Sequence, residues 1–326
     1  MSKKTGFIQE VTYGTSPLAT PASDTVTYWG KMNYGWEHPW QEEPNVAIHQ
    51  SDKIMATELV RGENKLEIDL KYNPVHAYPF IYAGFNTITS GGAGIYILEP
   101  SHTVALRSRT GYFEHDADIV EAQGLITQDL NMTVEMGKPT IFEEKMVGTS
   151  CKNGTIITTA TNPIWPASIA STDIVGWQNV ALCQLDDVDL SPTRVFIGIH
   201  NVLQGQSGMM KSAAINYNNL SRKRSIMAIT FAASGSFNGT ANDFWALYKA
   251  ATRDKKFELN FSWSGTTYYW QITLYNCRFN KPKVTIPAPD DEGLDTQYTM
   301  SGSCWLDLDS PTELPKVVVK DGATYT

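Results

Sequence analysis

The stretch Phe257-Glu258-Leu259-Asn260-Phe261-Ser262-Trp263 alternates large apolar and polar side chains without a break. After Ser264-Gly265 comes the run Tyr268-Tyr269-Trp270-Gln271-Ile272-Thr273-Leu274. A period of two puts one row of side chains on a buried face and the other in water, and a Ser-Gly step between two such runs is a hairpin signal. The pair reads as an antiparallel hairpin. Alternation sends Tyr269 to the face opposite Tyr268 and Trp270, so part of this aromatic group belongs to a core or a subunit contact rather than to a sugar-binding platform.

Upstream of the hairpin, residues 225–237 are strand-like, and Thr240-Ala241-Asn242-Asp243 offers an N-cap threonine with an acid three residues later. Phe244, Leu247, Tyr248 and Ala251 then share one face of a helix that ends near Arg253. The first half has the same outline. Leu66-Glu67-Ile68-Asp69-Leu70-Lys71-Tyr72 alternates strictly, and residues 75–84 suit a short helix with Pro79 breaking its middle. Residues 95–98, 104–106, 124–134, 177–185 and 194–200 give further strand-like runs. Gly and Pro punctuate them, and the polar residues lean to Thr, Ser and Asn, which favours short strands over long helices.

Two echoes relate the halves. Met146-Val147-Gly148-Thr149-Ser150-Cys151 resembles Met300-Ser301-Gly302-Ser303-Cys304, and the apolar run 72–80 precedes the first as 237–244 precedes the second. The expectation is a mainly β chain with two related domains at 36–152 and 175–310. A Thr-, Ala- and Pro-rich linker at 153–174 joins them, and arms at 1–35 and 311–326 flank them. The polar stretch 36–64 is too long for a simple connection, and such loops are usually functional.

With 326 residues, 18% of them charged, and a formal charge of −8, the chain lacks the basic surface of a tight nucleic-acid binder. No secretory signal and no bilayer-spanning apolar run is visible, so a soluble chain made in the cytosol is expected. Cys151, Cys183, Cys277 and Cys304 are scattered and read as buried free thiols. His38 near Glu42, and His115 beside Asp116 and Asp118, read as solvated loop residues rather than metal ligands. The acid clusters Glu42-Glu43, Glu143-Glu144, Asp186-Asp187 with Asp189, Asp290-Asp291-Glu292 and Asp307 with Asp309 read as solvated turns. The Asp186 cluster lacks the glycine and closing glutamate of a calcium loop. Arg222-Lys223-Arg224 reads as a solvated turn or a salt-bridge partner. No nucleophile elbow, phosphate loop or zinc-binding helix motif is present, so neither an enzyme nor a cofactor is expected.

One segment stands apart. Gln9-Glu10-Val11-Thr12-Tyr13-Gly14-Thr15-Ser16-Pro17, followed by Leu18-Ala19-Thr20-Pro21, is a short β-favouring patch running into a turn held extended by prolines. It resembles the opening of major tail tube proteins of long-tailed, siphovirus-like phages, where a Glu-x-Thr-Tyr-Gly-Thr-x-Pro-like string follows the first residues. The close match covers about a tenth of the chain. The resemblance implies β-sandwich or rolled-sheet domains, each with a short flanking helix. Their inner strands join between subunits into a β-barrel, and the rings stack into the tube of a virion assembled in the host cytoplasm. The partners implied are further copies of the chain, as rings of three two-domain chains or of six, other tail proteins at the tube ends, and double-stranded DNA that passes without specific binding. Long polar segments with apolar anchors mark Phe7, Glu10, Tyr13, Thr15, Pro17, Trp36 and Trp40 as candidate inter-subunit contacts. A lumen richer in acids than bases is expected, so that DNA is repelled. The alternative is a β-sandwich carbohydrate-binding or adhesion protein of the virion surface.

Overall fold

A computed structural model of the chain describes residues 3–9, 30–32, 44–45, 60–61, 66–101, 106–115, 118–148, 150–153, 174–204, 221–236, 255–285, 297–304 and 314–325. The first half contains β1 (Lys3–Gln9), β2 (Gly30–Met32), β3 (Pro44–Asn45), β4 (Val60–Arg61), β5 (Leu66–Pro74), α1 (Tyr78–Tyr82), β6 (Thr87–Gly92), β7 (Ile95–Glu99), β8 (Arg109–His115), β9 (Asp118–Glu135), β10 (Ile141–Gly148) and β11 (Ser150–Asn153). The second contains β12 (Val180–Leu185), β13 (Val188–Asp189), β14 (Pro192–Gln204), β15 (Ser221–Ser236), β16 (Lys255–Ser262), β17 (Tyr269–Phe279), β18 (Lys283–Thr285), β19 (Gln297–Cys304) and β20 (Lys316–Lys320).

The protein is mainly β, with one large open antiparallel sheet and almost no helix among the described residues. Its long ladder runs β2-β5-β10-β9-β14-β15-β19 and reaches the end of β17, where Cys277, Arg278 and Phe279 pair with Cys304, Ser303 and Gly302. Strand β17 then turns a corner. Asn276 takes a positive φ of 54°, and residues 269–273 leave the ladder to lie between β16 and β20. From there the sheet continues as β20-β7-β6 on one side and β16-β12-β13 on the other. A branch, β1-β8-β9-β11, is built on the first part of β9. The described strands at the two ends of the sheet do not pair to close a barrel.

Apolar rows of the ladder and of the strands beyond the corner meet in one large core, and Leu106, Ile126 and Val147 form a second, small cluster. Phe231 of β15 stacks on Phe257 of β16 at 4.7 Å, with Phe279 edge-on at 5.5 Å. Phe80 of α1 touches Phe142 of β10 at 5.5 Å and Trp270 of β17 at 6.2 Å, so residues from both halves share the same interior. Each such aromatic contributes about 1.5–3 kcal/mol by burial, and each ring pair about 0.5–1.5 kcal/mol more. Gly302 is required here. A Cβ at that position would lie 2.5 Å from the Arg278 carbonyl and 2.6 Å from the Phe231 ring.

The hairpin expected at 257–274 is β16-β17, turning through Gly265 at φ 75°. The alternation at 66–72 is that of β5, with Ile68, Leu70 and Tyr72 buried. Pro79 opens the short helix instead of breaking it. It occupies the first turn, where a missing N–H costs nothing, and Phe80, Ile81 and Tyr82 behind it are buried.

Within the segments expected as arms, residues 3–9 are β1 and residues 316–320 are β20. The latter is an inner strand rather than a tail, because Val317 and Val319 are fully buried between β7 and β17. The expected helix at 240–253, linker residues 154–173 and most of 36–64 lie outside the described residues. Leu106 is described but belongs to no strand.

Candidate assembly surface

Along the long ladder, two groups of strands follow the same order. In β2-β5-β10-β9 the chain visits first, second, fourth and third place, and in β14-β15-β19 followed by the end of β17 with β18 it does so again. β9 and β14 pair over residues 129–135 and 194–200 and join the two groups inside one chain. Among the described residues, no strand pairs with the outer side of β2 or of β18. An unpaired strand edge is a template for another chain.

The face of this ladder that points away from the core is wet, and ion pairs cross its first strands. Lys71 meets Glu143 at 2.6 Å, Lys145 meets Glu67 at 3.3 Å and lies opposite Asp69, and Lys138 meets Glu135 at 2.6 Å. His200 bonds to Asp129 across the β9-β14 junction. The hydrogen bond from Lys138 holds the Glu135 carboxyl below its ordinary pKa. In the second half the same face carries small side chains, with Ala228, Thr230, Ala232 and Ser234 on β15 beside Thr299, Ser301 and Ser303 on β19, and the exposed bases Arg278 and Lys283 stand opposite Ser303 and Thr299.

Where the branch leaves the ladder, a charge pair is sealed inside. Arg109 of β8 and Glu144 of β10 meet at 2.6 Å with neither side chain exposed to solvent. Glu144 also accepts from Thr127 Oγ1 at 2.5 Å and from the Tyr72 hydroxyl at 2.9 Å. Burial, and then the Glu144 charge, push the Tyr72 hydroxyl well above its ordinary pKa. The guanidinium lies 4.8 Å from the ring centroids of both Phe7 and Tyr82, a cation sandwiched by two aromatics.

Phe7, one of the expected contact residues, is thus used within its own chain. It is buried against Arg109 and edge-on to Phe113 at 6.3 Å. Glu10, Tyr13, Thr15, Pro17, Trp36 and Trp40 lie outside the described residues. Glu143-Glu144, expected as a solvated pair, is split by the strand: Glu143 faces water and Glu144 the core. The signal lay in the alternation of Phe142, Glu144 and Met146, which share one face of β10.

Other sequence candidates fall into structural roles. Asp186 and Asp187 form a positive-φ turn held by Lys255 at 2.7 Å and Lys256 at 3.1 Å. Trp270 is fully buried, whereas Tyr268 is exposed. Cys183, Cys277 and Cys304 are buried free thiols. Among the described residues no group of three His, Cys, Asp or Glu side chains is placed to hold a metal ion, and no helix is long and apolar enough to cross a membrane.

After residue 320 the chain straps over α1. Tyr325 packs on Tyr78 at 4.7 Å and on Tyr96 at 5.3 Å, and its hydroxyl donates to Asp321 at 2.5 Å. Asp321 also accepts from Trp270 Nε1 and the Ala77 N–H, each at 3.2 Å. Comparison with protein-family models and with curated proteins finds no match to this chain.

Proposed function

We propose that the chain is a structural virion subunit that assembles with copies of itself into stacked rings, forming a phage tail tube through which the genome passes. The observation that carries this reading is the repeated strand order of the long ladder, open at both ends. Its first group would be one tube-like unit and its second a related unit. The spacing from Ile68 to Ala233, the residues opposite Met146 and Met300, equals the spacing from Tyr72 to Phe237 in the sequence echo.

In this reading the β9-β14 junction is the in-chain version of a contact that recurs between chains. The β2 edge of one copy would meet the β18 edge of the next. Such a head-to-tail contact closes into a ring when its rotation allows, and closure removes both exposed edges. Three chains would supply six units and one inter-subunit barrel, with other tail proteins capping the tube. α1 would flank the first unit. The ladder's wet face would line the lumen, and its ion pairs and small Ser, Thr and Ala side chains suit DNA that slides without sticking. On the described part of that face the acids Glu67, Asp69, Asp129, Glu135 and Glu143 stand beside the bases Lys71, Lys145, Arg194, Arg278 and Lys283, in place of the acid excess expected to repel DNA. The sugar-binding alternative gains nothing from the aromatic hairpin, whose Trp270 is sealed in the core.

Negative-stain microscopy of the purified chain at high concentration tests the reading. Tubes whose averages show three chains per ring support it, a six-chain ring overturns the two-unit version, and discrete monomers overturn the assembly itself. Deleting residues 10–21 while sparing β1 should leave a folded subunit that no longer polymerises.

A further inference from the structure

Strand β17 meets β19 at the corner of the sheet through two cysteines. Cys277 lies directly opposite Cys304 in the antiparallel register. Directly opposed residues project from the same face with Cβ atoms about 4.5–5.5 Å apart, and their Cα separation falls within the roughly 4.4–6.8 Å that a disulfide spans. Both sulfurs converge on one oxygen. Cys304 Sγ donates to the Tyr275 carbonyl at 2.8 Å, and Cys277 Sγ lies 3.9 Å from the same atom while donating to the Leu274 carbonyl at 3.3 Å. Hydrogen bonding with the Cys304 thiol, followed by burial, pushes the Cys277 thiol far above its ordinary pKa, which agrees with two thiols in contact. Of the other cysteines, Cys183 is buried on β12 and pairs across to Leu259, and Cys151 on β11 pairs across to Ala122, so neither faces a cysteine in its ladder.

We propose that Cys277 and Cys304 are a latent cross-strand disulfide site, closed by low-molecular-weight disulfides, that staples β17 to β19 where the sheet turns from one layer into the other. The step balances without a metal or cofactor. The Cys304 thiol loses its proton, and the thiolate attacks one sulfur of the small disulfide and expels a thiolate, which takes up that proton. The Cys277 thiol then loses its proton and its sulfur attacks Cys304 Sγ, expelling the second small thiol. Two protein thiols are oxidised and one small disulfide is reduced to two thiols. Cys304 reacts first because it is 6% exposed at the end of β19, whereas Cys277 is wholly enclosed. Attack needs a thiolate, and the raised pKa and full enclosure of Cys277 slow the closing step, so the pair stays open in a reducing medium and closes slowly in an oxidising one. The staple does not depend on the tube reading.

The test is to incubate the full folded chain with oxidised glutathione in native buffer, quench with acid, and map peptides by mass spectrometry. The expected product is two hydrogens lighter and joins the peptides carrying Cys277 and Cys304. Its melting temperature rises by about 5 °C over the reduced chain, because the closed loop restricts the unfolded state. In Cys277→Ser the reaction should stop at a glutathione adduct on Cys304. Thiols that react only in denaturant, a bridge to Cys151 or Cys183, or a bridged chain that melts below the reduced one would each overturn the proposal.

Discussion

Replacing Glu144 by glutamine keeps the shape of the β10 side chain and removes its charge. Arg109 then stays enclosed between Phe7 and Tyr82 with no anion beside it. The amide can also present an N–H where Arg109 Nη2 now donates at 2.6 Å or Thr127 at 2.5 Å, setting donor against donor. Two routes give similar magnitudes. Breaking a buried pair by neutralising one partner costs about 3–5 kcal/mol, and opposite charges about 4 Å apart in a medium of effective dielectric about 20 attract by about 4 kcal/mol. A domain is stable by only about 5–15 kcal/mol, so Glu144→Gln should remove a large fraction of that margin. Equilibrium urea unfolding followed by tryptophan fluorescence reads this directly, since Trp270 is fully buried. The midpoint should fall by about 1 M or more. A second variant, Arg109→Met with Glu144→Leu, removes both charges and should recover most of the loss. A midpoint for Glu144→Gln within about 0.3 M of the wild type would refute the argument. A double variant as unstable as the single one would show that packing, not charge, sets the cost.

Asp321 carries a pH dependence. Burial would raise its pKa, but the His76 imidazole 3.9 Å away and hydrogen bonds from Tyr325 and the Ala323 N–H outweigh burial and hold it below its ordinary value. A depressed folded-state pKa means that the carboxylate stabilises the fold above about pH 4 and that this contribution fades as pH falls through the lower folded value. The stability gap between wild type and Asp321→Asn, measured by denaturant titration, should therefore be largest at neutral pH and narrow towards about pH 3; a gap that widens in acid would contradict the assignment. Phe7→Ala should cost about 3 kcal/mol by chemical denaturation, and no loss would mean that β1 does not belong to the fold in solution. Gly302→Ala should destabilise by about 2 kcal/mol or more because its neighbours are backbone and a packed ring, whereas Gly265→Ala, with open space around it, should cost only about 1 kcal/mol from its positive φ. Equal losses from the two glycine variants would sink the close-packing argument.

What the sequence makes legible is local. The alternation at 66–72 and 257–274 reads directly as strands because a half-buried strand imposes its period on the chain. Pairing partners are harder to read. The run Lys316-Val317-Val318-Val319-Lys320 looks like a tail because it is short and isolated, yet two neighbours recruit it, and nothing nearby in the chain announces β7 or β17. Arg109 and Glu144 escape for a related reason. Each is an ordinary surface residue by type, and only their convergence across strands from different parts of the chain makes them a buried pair. Both methionines of the sequence echo, Met146 and Met300, fall on strands, β10 and β19.

The place of β20 bears on the timing of folding. Residues 95–99 are made more than 200 residues before 316–320, which supply their neighbour on the β20 side. Until then β7 presents a bare edge, and the strands beyond the corner lack one of their inner members. Contacts of such long sequence separation form slowly, because loop closure must precede any gain from pairing. A nascent chain would therefore expose a sticky strand until residues 316–320 are made, a natural binding point for a holding chaperone and a reason for the growing polypeptide to aggregate when synthesis stalls before residue 316.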